Sequence, residues 1–193
     1  MSEGLWPRTV IVLDRDGTIV VDQGYLNDPA GLTFLPGAQD GLRAMHRYGY
    51  RLVVITNQSG IGRGLQSLDR LEKMNDRLRE MVADAGASLE GIYFCPHVPD
   101  DHCDCRKPAQ GLLLRAAAEL GFALSSVVVV GDRDSDIELG HRAGAPAILI
   151  SSTPPETARP SQPDIVVADL LQAAQAIYRN NSAVSYRPLP GRS

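Results

Sequence analysis

Short apolar runs rich in β-branched residues recur along the chain, and three of them stop abruptly in polar clusters. Val10–Leu13 runs into Asp14-Arg15-Asp16-Gly17-Thr18, 51–55 into Thr56-Asn57-Gln58-Ser59-Gly60, and 126–130 into Gly131-Asp132-Arg133-Asp134-Ser135-Asp136. A continuous apolar run of this length suits a strand buried on both faces of a parallel sheet. Between the runs the period changes to helical: Ala38, Leu42 and Met45 open one stripe behind Pro36-Gly37, and Leu71, Met74, Leu78, Met81 and Val82 make a longer one over 68–84, closed by Gly86. Further strands are expected over 89–94, 147–150 and 164–167. Further helices are expected from Pro108 to Leu120, where Gly121 stops it, over 137–143 and over 170–178. Strands alternating with helices predict an α/β fold, a Rossmann-like doubly wound parallel sheet, as one domain over 8–178. The stretch 19–36 reads as a turn-rich loop able to lie over a site, 153–163 as a proline-rich loop, and 179–193 as a disordered tail.

In a parallel sheet the three polar clusters fall on one edge, outside the carboxyl ends of the strands, where open α/β sheets place ligands. Asp14 and Asp16 stand close enough to repel, so a fold that keeps both there is expected to hold a cation. Gly17 lets the chain turn behind them. Lysine occurs only at Lys73 and Lys107, all other basic residues being arginine or histidine, so the ammonium of Lys107 beside Arg106 is set apart as a compact charge.

All three cysteines lie in one window, Cys95-Pro96-His97 followed by Cys103-Asp104-Cys105. Three sulfurs and an imidazole make the donor set of a tetrahedral structural zinc. His102 is a rival imidazole, but the Cys95/His97 and Cys103/Cys105 pairs form two compact knuckles that can face one ion. The odd count and the absence of an export signal argue against disulfides. A zinc loop over 95–107 ends beside Lys107, so the metal is expected to position that lysine without touching substrate.

Composition then removes whole classes of function. The 193 residues are 44% hydrophobic and 22% charged with a net charge of −4, ordinary for one globular domain. No apolar run reaches the ~18 residues of a membrane span, and the N-terminus lacks a secretory segment, so no membrane partner and a cytoplasmic location are expected. Acidity without a long basic tract disfavours nucleic acid as the main partner. A small anionic substrate and a monomer fit better.

DRDGT, TNQSG, RKP and GDRDSD, in that order, resemble the four motifs of haloacid-dehalogenase-type phosphatases over residues 10–150. The resemblance implies a phosphoric monoester hydrolase without a large cap domain. It further implies that Asp14 would attack phosphorus to give an aspartyl phosphate, and that Asp16 would protonate the leaving oxygen and later activate water. An acid near pKa ~3.9 donates poorly at neutral pH, so carboxylate neighbours or desolvation are expected around Asp16. On the same resemblance Thr56 and Lys107 would bind the transferring oxygens. Mg2+ would be held by Asp14, the backbone carbonyl of Asp16, and Asp132. For Asp136 three roles stay open: magnesium ligand, support behind the ligands, or partner of its helix N-terminus. Substrate contacts are assigned to Asp22, Gln23, Gly24 and Tyr25 in the loop after the first strand, to Asn57, Gln58 and Ser59, and to Arg106 and Arg133.

Within the superfamily the chain is similar to two zinc-loop groups. The CPH and CDCRKP segments occur in both D-glycero-D-manno-heptose 1,7-bisphosphate phosphatases and histidinol-phosphate phosphatases, and VPDDH with GDRDSD leans to the latter. VVDQGYLND, TNQSGIGRG and GIYFCPH resemble the heptose enzymes over longer stretches, which favours a phosphorylated sugar as substrate, with histidinol phosphate the alternative. Lysine often follows the first aspartate of the last motif in the heptose enzymes, and Arg133 departs from that pattern. A nucleic-acid 3'-phosphatase would use similar chemistry but lacks support from charge. A non-catalytic zinc-stabilised binding module would be expected to have lost Asp14, Asp16 or Lys107.

Overall fold

A computed structural model describes residues 9–24, 28–153 and 159–185, the side chains of 182–185 excepted. Among these residues six strands form one parallel sheet: β1 (Val10–Leu13), β2 (Arg51–Asn57), β3 (Leu89–Cys95), β4 (Val127–Gly131), β5 (Ala147–Ile150) and β6 (Ile165–Val167), in the order β3-β2-β1-β4-β5-β6. The helices are α1 (Ala38–Arg47), α2 (Leu68–Asp84), α3 (Gly111–Leu120), α4 (Asp134–Arg142) and α5 (Leu170–Ser185). The α/β prediction therefore holds, and the order reverses direction at β1, which pairs with β2 on one side and β4 on the other.

Two-residue alternation along β1 splits the core. Ile11 and Leu13 join the layer that contains α1, α2 and α5, through Leu42, Met45, Met74, Leu78 and Ile177. Val10 and Val12 face the opposite layer, with Leu112, Leu113 and Ala116 of α3 and Leu139 of α4. Burial on both faces explains why β1 is apolar without interruption. The close approach of α1 to α5 needs Gly41, where a Cβ would lie 2.5 Å from the Leu170 backbone.

Several boundaries differ from the sequence expectation, each for a local reason. Helix α3 starts at Gly111 rather than Pro108, because Ala109 N–H turns back to the Arg106 carbonyl (2.8 Å) and Gly111 N–H to that of Asp104 (2.9 Å). Helix α4 starts a turn early, at Asp134: the Asp136 carboxylate accepts the Arg133 N–H at 3.0 Å and so caps the first turn. Residues 179–185, assigned to a disordered tail, continue α5, and the Asn181 amide donates to the Tyr50 hydroxyl at 2.9 Å. The remainder of that tail, from 186, lies outside the described residues. The loop 19–36 is also less free than its turns imply, since Ile19, Val20 and Leu32 are buried and Val20 bridges Phe34. Among the described residues no helix is long and apolar enough to cross a membrane.

Candidate active site

Because all six strands are parallel, the segments after β1, β2, β3 and β4 emerge on one edge. They surround a cavity of about 250 Å3 lined by Asp14, Asp16, Asp22, Gly24, Thr56, Asn57, Gln58, Ser59, Gly60, Arg106, Lys107, Arg133 and Ser135. Nearly every residue singled out for catalysis or substrate contact is brought to this one place. Gln23 is not: its side-chain amide turns back onto its own loop and donates to the Gly31 carbonyl (3.0 Å). Tyr25 lies outside the described residues.

Lys107 is the buried centre of the floor. Its side chain, 4% exposed as a residue, places Nζ 2.8 Å from Asp14 Oδ1 and 2.7 Å from Asp136 Oδ1, and donates to the Ile55 carbonyl at 2.7 Å. Burial by itself lowers an ammonium pKa, but the Asp136 and Asp14 carboxylates outweigh it and push that of Lys107 up, so the cation persists at neutral pH. The backbone of Lys107 is held as well. Asn57 accepts its N–H at 3.0 Å and donates to its carbonyl at 3.1 Å. The amide of Asn57, expected to meet substrate, is thus occupied in fixing Lys107, a pairing invisible in the TNQSG string.

Asp16 has the opposite surroundings to those expected. Its neighbours are donors: Arg15 Nε at 3.2 and 3.1 Å, Arg15 Nη2 at 2.9 Å and Gln58 Nε2 at 2.7 Å. Gln58 also donates to Thr56 Oγ1 at 2.9 Å, so it orders both a carboxylate and a hydroxyl at the cavity wall. At the rim, Asp22 Oδ2 accepts from Arg133 Nη2 at 2.8 Å while its other oxygen accepts the Gly24 N–H at 2.9 Å. Arg106 reaches the His97 carbonyl with Nη1 at 3.2 Å.

Two donor clusters can hold metals. Asp14, Asp132 and Asp136 each bring a carboxylate oxygen to within 4.8 Å of the others. Lys107 offsets one of the three negative charges, and the remainder favours a further cation. Asp132 shows the strain: burial first, then the charges of Asp14 and Asp136, push its pKa up to about 6. Asp136 Oδ1 is fully buried and, although 2.7 Å from Lys107 Nζ, makes no well-directed hydrogen bond, so an acceptor is left over beside the cluster. Gly17, at φ +81°, brings its backbone so near the Asp132 carboxylate that a Cβ would collide with it. A hard, oxygen-only set of this kind fits Mg2+. Asp136 takes one of the roles left open by capping α4, and it also ion-pairs with Lys107.

The second cluster is Cys95, His97, Cys103 and Cys105. All four donor atoms lie within 4.8 Å of one another, and every pair except His97–Cys103 is 3.2–3.6 Å apart, with no disulfide among them. The edges of a Zn2+ tetrahedron with bonds of about 2.0–2.3 Å are only slightly longer, so the set fits zinc. His97 contributes Nδ1, whereas His102 stands outside the cluster on the αL turn that ends a 3-10 segment (φ 46°). The loop is tied to the β2 edge by Gln58 N–H to the Cys95 carbonyl (2.7 Å) and Gly62 N–H to that of Pro96 (2.9 Å).

A divalent ion held at this cluster would compete with protons for Asp132, and its binding would then depend on pH. A carboxylate whose pKa is raised in the folded state contributes stability below about pH 4, and that contribution is lost as pH rises through about 6. A bound cation offsets the loss. Calorimetric titration with Mg2+ is expected to give an apparent affinity about tenfold lower at pH 5 than at pH 7, with proton release at the lower pH. An affinity independent of pH would remove Asp132 from the ligand set.

The chain is similar to known proteins along most of its length. A family model described as "HAD-hyrolase-like" matches residues 104–173. The D-glycero-beta-D-manno-heptose-1,7-bisphosphate 7-phosphatase of Yersinia pestis is 37% identical over 181 residues, covering 88% of this chain and 96% of the relative. That of Vibrio cholerae is 36% identical, covering 86% and 93%. Among solved structures, the D,D-heptose 1,7-bisphosphate phosphatase from B. bronchiseptica, complexed with magnesium and phosphate, superposes with a TM-score of 0.77 at 29% identity, covering 88% of this chain and 98% of that one. The Burkholderia thailandensis enzyme gives 0.66 at 27% identity, covering 89% and 99%. With a strand that ends in two aspartates, a buried lysine and a three-carboxylate cluster on one sheet edge, and likeness over most of its length on this scale, the chain belongs to the HAD-like phosphatases, in the heptose 1,7-bisphosphate 7-phosphatase family.

Proposed function

We propose that the chain removes the 7-phosphate of D-glycero-beta-D-manno-heptose 1,7-bisphosphate by way of an aspartyl phosphate on Asp14. The observation that carries the reading is a cavity with a carboxylate–ammonium pair on its floor and two guanidinium side chains, Arg106 and Arg133, on its lining. The floor suits a phosphoryl group under attack, and the guanidinia suit a second phosphate. Histidinol phosphate has no second phosphate and carries positive charge, so those arginines would repel it. The nearly full-length relatives named for the heptose substrate add weight.

Asp14 attacks phosphorus in line with the sugar oxygen, and the P–O bond to the sugar breaks as the bond to Asp14 forms. Asp16 gives its proton to the departing oxygen, then takes one from the water that cleaves the acyl phosphate. Lys107 and Thr56 face the equatorial oxygens. Asp14, Asp132 and the Asp16 carbonyl, with Asp136 behind them, would hold Mg2+, which supplies neutralisation of developing negative charge. Cys95, His97, Cys103 and Cys105 would hold a structural Zn2+ that anchors the segment carrying Arg106 and Lys107.

A kinetic comparison tests the substrate. The heptose bisphosphate is expected to exceed histidinol phosphate in kcat/KM by at least about 100-fold, the scale of a lost charge-assisted contact pair. Asp22→Ala, which also frees Arg133, is expected to lower kcat/KM for the sugar about tenfold or more while a minimal aryl phosphate changes little. A higher kcat/KM for histidinol phosphate would replace the heptose reading.

A further inference from the structure

Arg15, between the two aspartates, does not point into the cavity. It is 4% exposed, and its guanidinium lies under the site between Asp16 and helix α2. One side of the fork, Nε and Nη2, faces the Asp16 carboxylate at 2.9–3.2 Å. On the other side, Nη1 donates to Asn75 Oδ1 at 3.3 Å. Asn75 is itself 4% exposed, and it sits on the buried face of α2 beside Leu71, Met74 and Leu78. A polar side chain at such a place must be satisfied, and here the partner is a buried cation that requires several acceptors of its own. Among the described residues Asp16 is the carboxylate with which Arg15 forms an ion pair.

We infer that Asn75 and Arg15 form a positioning unit that holds the Asp16 carboxylate where the leaving oxygen takes its proton. The inference rests on the reading of Asp16 as the general acid. Guanidinium is planar and its N–H directions are fixed, so anchoring one nitrogen on a rigid helix orients the two that meet the carboxylate. Asn75 is not among the residues that line the cavity, and its link to the site runs through Arg15. A general acid must stand within hydrogen-bond reach of its target, and a displacement of about 1 Å costs about 100-fold.

A plain structural role for Asn75 would give a different result, because a loosened fold slows every substrate alike. Loss of acid positioning slows only substrates whose leaving group must be protonated. The test is single-turnover release of the leaving group from a sugar primary-alcohol phosphate and from 4-nitrophenyl phosphate, whose leaving group departs as a stabilised anion. Asn75→Leu, close in volume and apolar on an apolar face, is expected to slow release from the sugar phosphate at least about tenfold and from the aryl phosphate less than about threefold. Arg15→Met is expected to open the same gap, and Asn75→Asp, which keeps the acceptor, to close most of it. Equal losses on both substrates, or no loss on either, would overturn the inference. Asp16→Asn is the reference: if it fails to open the gap, the acid assignment falls. If it opens the gap and Asn75→Leu in a folded protein does not, only the positioning role falls.

Discussion

Asp14→Asn is expected to abolish phosphate release, by at least about 10⁴-fold, while the protein stays folded. The amide keeps an oxygen where Asp14 Oδ1 now accepts the Arg15 N–H at 2.7 Å, so the turn after β1 can stay intact. What disappears is the attacking anion, and no neighbour can replace it in line: Asp132 and Asp136 belong to the cluster behind it, and Asp16 is held by Arg15 and Gln58. Removal of a nucleophile commonly costs several powers of ten, with only binding and electrostatics left behind. For stability two effects oppose, since Lys107 loses one of its two carboxylate partners and keeps Asp136 at 2.7 Å. Asp14 is the second cause, after burial, of the raised pKa of Asp132, so without metal its neutralisation relieves like-charge repulsion. Phosphate release together with thermal unfolding in a chelator checks both halves. Persistent turnover in a folded Asp14→Asn protein would refute the nucleophile.

Lys107→Arg is expected to lower kcat at least about 100-fold even though charge is conserved. The ammonium meets Asp14, Asp136 and the Ile55 carbonyl within 2.7–2.8 Å in a nearly closed site. A planar guanidinium cannot direct three donors into that geometry without displacing one of the carboxylates. Lys107→Met makes the companion measurement. It leaves Asp14 and Asp136 uncompensated, and breaking a buried pair from one side typically costs about 3–5 kcal/mol. Denaturant unfolding of Lys107→Met and steady-state kinetics of Lys107→Arg separate the two contributions. Near-normal turnover of Lys107→Arg would mean that positive charge alone suffices.

The chemistry-bearing half of the molecule could be read from the sequence because each piece ends a strand. A buried strand that stops in Asp-Arg-Asp, a Thr-Asn-Gln cluster and a Gly-Asp turn leave few arrangements other than one polar edge, and the cavity matches. The cysteine–histidine cluster was equally plain, since its ligands are neighbours in the chain. What escaped are pairings across distance that carry no local signature. Asn75 stands in an apolar helical stripe where it looks like an ordinary polar interruption, and its partner is sixty positions away. Asn57 sits in a motif suggestive of substrate contact but is occupied by the backbone of Lys107. The donors around Asp16 carry no signature in the string, because Arg15 folds back onto its own neighbour. Likewise, α4 begins a turn before its apolar stripe does, since the carboxylate that caps its first turn belongs to the polar loop after β4.

The position of β1 in the sheet has a consequence for how such a protein can change over generations. With a hydrogen-bonded strand on either side, and core on both faces, almost any alteration of 10–13 disturbs two layers at once. The segment around Asp22 and Gly24 is different: it is exposed, and a side chain added at Gly24 would meet nothing within 4 Å, although its positive φ limits which residues suit it. Inheritance is therefore free to rewrite the mouth while the floor stays the same. Descendants of one ancestor can come to admit different phosphate esters and still cleave them with the same aspartate, the reworking confined to a few rim residues that the core does not restrain.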